Sequence, residues 1–291
     1  MFYGNIVALV TPMHADGSID EKSFLELIEW QIQEKIEGLV INGTTGESAT
    51  TSPDEKHRLL TLAKQQIKGR VPLIAGTGTN NTVSTMMLTQ QAAELGVDAC
   101  LIVTPYYNKP TQKGLLAHYS AVASNINIPL ILYNVPGRTA CDLKPDTVAT
   151  LSQQHPNIIG IKEATGSLER LKELMGKIDR LDFSYLSGDD ATSLDFMKRG
   201  GHGVISVTSN IAPKPMTEWC AAVMGKAWDK AEAIFNPLMG LHQTLFIESN
   251  PLPTKWALNK KGLIDPGIRL PLTWLDPKHE PMLEEALLSS N

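Results

Sequence analysis

Cysteine is scarce. The 291 residues contain three, Cys100, Cys141 and Cys220. An odd number, widely spaced and without a CxxC pair, builds neither a disulfide framework nor a zinc site. A reducing, cytoplasmic setting is expected. Long apolar runs are missing too, and none reaches the roughly 18 residues of a membrane span. No basic residue precedes Lys22, so the apolar opening at 1–12 reads as a buried strand and not as a signal peptide. Lys and Arg nowhere cluster beyond a pair such as Lys260-Lys261, and the net charge is −5. A nucleic-acid partner is therefore not expected. The seven histidines form no HxH or HExxH pair, so metal catalysis lacks ligands. Gly76-Thr77-Gly78 is half of a dinucleotide turn, and no Gly-Lys-Ser/Thr marks a nucleotide loop. Ser48 lacks the second glycine of a nucleophile elbow.

What is present is ordinary globular material, 42% hydrophobic and 20% charged. The length suits one large domain, or one with a small appendix. Short apolar runs, many β-branched, recur at 5–10, 38–41, 71–75, 98–103, 129–133, 157–161, 182–186 and 203–207. Most are continuously hydrophobic, as parallel strands covered on both faces are. Helix-period stretches alternate with them at 21–37, 54–67, 84–95, 112–125, 145–153, 168–178, 191–199 and 213–224. The second follows Ser52-Pro53, an N-cap with proline at the first helical position. This pattern predicts an α/β fold, a (β/α)₈ TIM barrel over 1–224. Helices predicted at 226–247, 254–261 and 279–288 make 225–291 an all-helical extension.

In such a barrel the chemistry lies at the carboxyl ends of the strands. There the sequence collects hydroxyls, glycine-flanked turns, tyrosines, one arginine and one lysine. Lys162 closes the sixth strand. Gly160, two residues earlier on the same side, predicts room for its long stem. It is either a lysine snorkelling to water or a sheltered amine. Burial disfavours the charged form, and a neutral amine attacks carbonyls to form a Schiff base. Tyr133 ends the fifth strand, about 5 Å away by strand spacing. It is either a core phenol or a proton shuttle for the amine. Gly43-Thr44-Thr45-Gly46 is either a helix-capping turn or an anion nest suited to a carboxylate. Arg138 is either a surface arginine or a bidentate carboxylate clamp. Asp189-Asp190 reads as a helix cap before it reads as a cation site.

Taken together, these residues resemble the dihydrodipicolinate synthase family of class I pyruvate-dependent aldolases and lyases. The motifs Gly43-Thr44-Thr45-Gly46-Glu47, Tyr133-Asn134-x-Pro136 and Ile161-Lys162-Glu163 occur in order, and the likeness runs from Val7 to Pro251. The resemblance implies that Lys162 forms the Schiff base and Tyr133 is the acid/base. Thr44, with Tyr107 from a neighbouring subunit, would be the proton relay. Thr45, and Ile205 through its backbone, would contact pyruvate. Arg138 distinguishes the synthases from the sugar-acid lyases of the family, such as those acting on N-acetylneuraminate. It implies condensation of pyruvate with L-aspartate-4-semialdehyde, on the diaminopimelate route to lysine. A lyase, or a non-catalytic barrel that binds an oxo-acid, is the alternative. The resemblance further implies no metal or organic cofactor and a homotetramer built as a dimer of dimers. Ser48, Ala49, Asn80 and Tyr106 match a regulatory lysine cleft, but Pro53, Lys56 and Ser84 replace its two histidines and its glutamate. An ammonium ligand needs a carboxylate there, so weak or absent inhibition by lysine is expected.

Overall fold

Buried apolar runs become strands here, and the helices between them are set by local caps. A computed structural model describes residues 1–290. Eight strands run in chain order: β1 (Gly4–Ala8), β2 (Gly38–Ile41), β3 (Leu73–Gly76), β4 (Ala99–Val103), β5 (Leu130–Asn134), β6 (Ile158–Glu163), β7 (Ser184–Ser187) and β8 (Gly203–Ser206). They hydrogen-bond in sequence order and close into a parallel barrel, as the alternation predicted. The helices are α1 (Glu21–Gln33), α2 (Pro53–Ile67), α3 (Thr82–Glu94), α4 (Gln112–Asn125), α5 (Pro136–Thr139), α6 (Pro145–Gln154), α7 (Leu168–Lys177), α8 (Ser193–Lys198) and α9 (Pro213–Met224). After them come α10 (Trp228–Phe235), α11 (Met239–Thr244), α12 (Leu252–Lys260) and α13 (Glu280–Ser289). Among the described residues no helix is long and apolar enough to cross a membrane.

Caps explain where helices begin. Ser52 accepts from the Glu55 N–H while the Glu55 carboxylate accepts from the Ser52 N–H, and Pro53 opens α2. This reciprocal box satisfies two backbone donors that the first turn leaves unpaired. Two expectations change. The helix predicted over 226–247 divides into α10 and α11, joined by a 3₁₀ turn at Asn236–Leu238. Pro237 cannot donate the interior helical hydrogen bond and its ring crowds the preceding turn. The short helix α5 was not predicted, since a four-residue turn carries no periodicity.

Contacts group the chain into two compact units. One comprises Met1–Tyr3 and Leu73–Ile205, the other Gly4–Pro72 and the described residues from Ser206 onward. In the first, β5 and β6 pair with Leu132 opposite Ile161 and Tyr133 opposite Lys162. In the second, β1 and β2 pair with Val7 opposite Leu39. There α9 buries Trp219 edge-on against Phe235 of α10, ring centroids 5.1 Å apart.

Candidate active site

The strand pair β5–β6 builds the centre of the first unit. The register that sets Tyr133 opposite Lys162 brings Lys162 Nζ to 4.4 Å from the centroid of the Tyr133 ring. Both side chains are buried, 7% and 6% exposed. The amine therefore does not snorkel into bulk water. The room for its stem has a different source from the one the sequence suggested. A Cβ on Gly160 would meet Ser184 O at 2.7 Å, so that glycine admits β7. A Cβ on Gly188 would meet Ala164 Cβ at 2.6 Å and Lys162 Cε at 2.9 Å, so Gly188 makes space for the lysine as well as for the close approach of Ala164. Gly160 shares the lysine's face of β6, but Gly188 lies 26 positions further along the chain, past β7, where spacing along one strand does not reach.

Behind the pair lies a buried polar network that the sequence reading missed. Asn134 Nδ2 donates to Glu163 Oε2 and to Asp142 Oδ1, each at 3.0 Å. Glu163 Oε1 accepts from the Thr165 N–H at 2.9 Å. Asp142 in turn pairs with Arg170 at 2.9 Å. Burial raises the Glu163 carboxyl above its ordinary value, and the Asn134 and Thr165 bonds oppose that. Its position next to Lys162 in the motif was the available signal.

Arg138 sits exposed on α5. That turn is tied to the end of β4 because Thr104 Oγ1 donates to Thr139 Oγ1 at 3.1 Å. Ile205 is buried in β8 at 1% exposure. Tyr107 is not brought to the lysine by its own chain. It is 88% exposed, with a left-handed backbone at φ 74, and its side chain makes no hydrogen bond among the described residues.

The second unit supplies the hydroxyl turn. The N–H groups of Gly46 and Ser48 donate to Gly43 O, and that of Glu47 donates to Thr44 O. Among the described residues the N–H groups of Thr44 and Thr45 donate to no protein acceptor. The expected nest thus keeps the N–H groups of Thr44 and Thr45, with the threonine hydroxyls beside them, whereas that of Gly46 is used within the turn. Thr45 is buried and its Oγ1 accepts from Asn250 Nδ2 at 2.9 Å. Lys255 is buried against Glu47, and that burial lowers its pKa while the carboxylate opposes the shift. A cluster of His14, Asp20 and Asp265 holds three ligand-type atoms within 4.8 Å. Asp20 is spent capping α1, and His14 pairs with Asp265 at 2.9 Å.

Ser48 and Ala49 follow the hydroxyl turn in the second unit, whereas Asn80 and Tyr106 belong to the first. Pro53 opens α2, Lys56 lies one turn on, and Ser84 is in the first turn of α3. Lys56 is half-buried, and that burial lowers its pKa.

Residues 1–290 match the profile of the dihydrodipicolinate synthetase family. A 4-hydroxy-tetrahydrodipicolinate synthase of Pseudomonas aeruginosa is 53% identical over 283 residues, 97% of this chain and 96% of that protein. A chloride-inhibited dihydrodipicolinate synthase from Acinetobacter baumannii, solved with pyruvate, superposes with a TM-score of 0.97. It is 48% identical, over 100% of this chain and 99% of that one. The enzyme of Cyanidioschyzon merolae, solved with lysine bound, gives 0.95 at 35% identity, over 99% and 98% of the two chains.

Proposed function

We propose a reaction from one premise: the chain belongs to the dihydrodipicolinate synthetase family. It condenses pyruvate with L-aspartate-4-semialdehyde, the activity of a 4-hydroxy-tetrahydrodipicolinate synthase, and it is a lyase of the Schiff-base type. The observation that carries this is the buried amine of Lys162 held 4.4 Å over the ring of Tyr133, in a chain 53% identical to such a synthase.

The steps follow from electron demand. Lys162, as the neutral amine, attacks the keto carbon of pyruvate. Tyr133 gives a proton to the carbinolamine oxygen, water leaves, and an iminium remains. That iminium is an electron sink, so C3 of pyruvate loses a proton and becomes an enamine carbon. The enamine attacks the aldehyde carbon of the second substrate, whose oxygen takes up a proton. The amine of that substrate then displaces Lys162 and closes the ring, returning the free lysine. Thr44 and the partner subunit's Tyr107 relay protons to and from Tyr133. Thr45 and the Ile205 backbone contact pyruvate, and Arg138 grips the carboxylate of the aldehyde. Holding both carboxylates turns a two-body encounter into a positioned one.

The exposed Tyr107 supports an assembly in which a partner covers it, and we propose a homotetramer made of two such dimers. Three buried, free cysteines support a cytoplasmic site of action.

Borohydride reduction in the presence of pyruvate tests the mechanism. A trapped pyruvyl mass on the peptide carrying Lys162 is the expected result. No adduct, or an adduct on another lysine, overturns it.

A further inference from the structure

The turn at 43–47 is held from behind by the chain that follows the barrel. Asn250 Nδ2 donates to Thr45 Oγ1 at 2.9 Å, and both residues are buried. Asn250 Oδ1 accepts from Thr254 Oγ1 at 3.2 Å, which keeps the NH₂ edge of the amide toward Thr45. A hydroxyl can donate one hydrogen bond and accept two. Asn250 occupies an acceptor lobe, so the Thr45 proton points away from it. Thr45 Oγ1 makes no other hydrogen bond among the described residues. That proton is reserved for a guest that only accepts, as a carboxylate does.

The end of the same turn is clamped as well. Glu47 has left-handed backbone at φ 56, uncommon for a residue with a side chain. Lys255 Nζ donates to Glu47 Oε1 at 2.5 Å, and the Arg269 N–H donates to Oε2 at 3.2 Å. The Lys255 and Glu47 side chains are 0% and 1% exposed. A buried ion pair is a weak route to stability, because apolar residues of similar volume often serve as well. It does fix geometry, and here the geometry is that of a turn whose Thr44 and Thr45 N–H groups have no protein acceptor among the described residues.

We propose that Asn250 and Lys255 are positioning residues for the keto-acid carboxylate. Asn250 sets the direction of the Thr45 proton, and Lys255, through Glu47, holds the backbone donors of the turn. The inference rests on the Schiff-base reading above, and neither residue is assigned contact with a reacting atom.

Borohydride trapping over a range of pyruvate concentrations, with melting temperatures recorded in parallel, tests it. Asn250→Asp keeps the side-chain shape but offers Thr45 an acceptor, so the hydroxyl turns to donate inward. Its half-saturating pyruvate should rise about 10-fold or more, the loss of one hydrogen bond to a charged group. Trapping at saturating pyruvate should remain complete. Asn250→Ala should show a smaller rise. In a Thr45→Val background, neither change at Asn250 should add to the loss, because the hydroxyl it directs is gone.

For the ion pair, Glu47→Gln and Lys255→Met are made singly and together. The double variant should regain the melting temperature lost in the singles, yet keep a half-saturation raised about 10-fold. A double variant that recovers both stability and pyruvate affinity makes the pair purely structural and overturns the assignment of Lys255. Wild-type half-saturation in Asn250→Asp and Asn250→Ala overturns that of Asn250. A wild-type chain that traps no pyruvate sinks the Schiff-base reading and this one together, whereas trapping in the wild type with unmoved variants sinks this one alone.

Discussion

Lys162 is sheltered by side chains that each have a separate reason to be there. Its amine lies over the Tyr133 ring and its stem passes the open space at Gly188. Lys162→Ala should abolish turnover, to at most background in a coupled assay, because the proposed covalent attachment of the keto acid runs through its amine. Tyr133→Phe keeps the ring and removes the proton. General acid/base help is worth typically 10²–10⁴-fold, so kcat should fall by about that factor while trapped pyruvate still forms slowly. Retention of full kcat in Tyr133→Phe would remove the phenol from the mechanism. Both residues were legible in the sequence because each stands one residue from the end of its strand, and a strand end is a local feature. Glu163 was less so. It follows Lys162 in the strand, and its hydrogen bonds from Asn134, 29 positions earlier, and from the Thr165 N–H show why a carboxylate can be buried there.

At the level of elements, the site rests on short turns tied down at specific points. The box at the start of α2 also meets the tail, since Arg269 donates to both oxygens of Glu55. Those bonds hold the Glu55 carboxyl at about 2. Ser52→Ala removes one half of the box and should cost about 1 kcal/mol, read as a lower melting temperature. A variant as stable as wild type would mean that Arg269 alone fixes the first turn. The cap was visible in Ser52-Pro53, whereas the reach of Arg269 was not, because 214 positions separate it from Glu55. The split between α10 and α11 was visible in principle, in Pro237, but helix periodicity continues through it and masked the break.

Across the whole molecule, protonation of a buried group links stability to pH. Glu37, just before β2, accepts from the Asn5 N–H at 2.8 Å, and burial raises its carboxyl to about 7. The folded state therefore binds this proton more tightly than the unfolded chain. Stability from this group is fully present below the unfolded value of 4.5 and is lost as pH rises through about 7. Glu37→Gln keeps the acceptor without the charge, so its melting temperature should exceed that of wild type at pH 8 and match it near pH 4. Equal melting temperatures at pH 8 would refute the link. Lys56, in place of a ligand-friendly side chain, should leave activity nearly unchanged in submillimolar L-lysine, measured at saturating substrates. Strong inhibition there would show that the ammonium finds another carboxylate. The sequence by itself determined the alternation of strands and helices, the number of strands, and hence the rim on which Lys162 and Tyr133 stand. These depend on periodicity and on residues a few positions apart. Only the tertiary structure decided which glycine makes room for the lysine and which buried charges are partners. Glu47 and Lys255 lie 208 positions apart, and no spacing rule links them. Burying either charge is tolerable only because folding delivers the other to within a hydrogen bond.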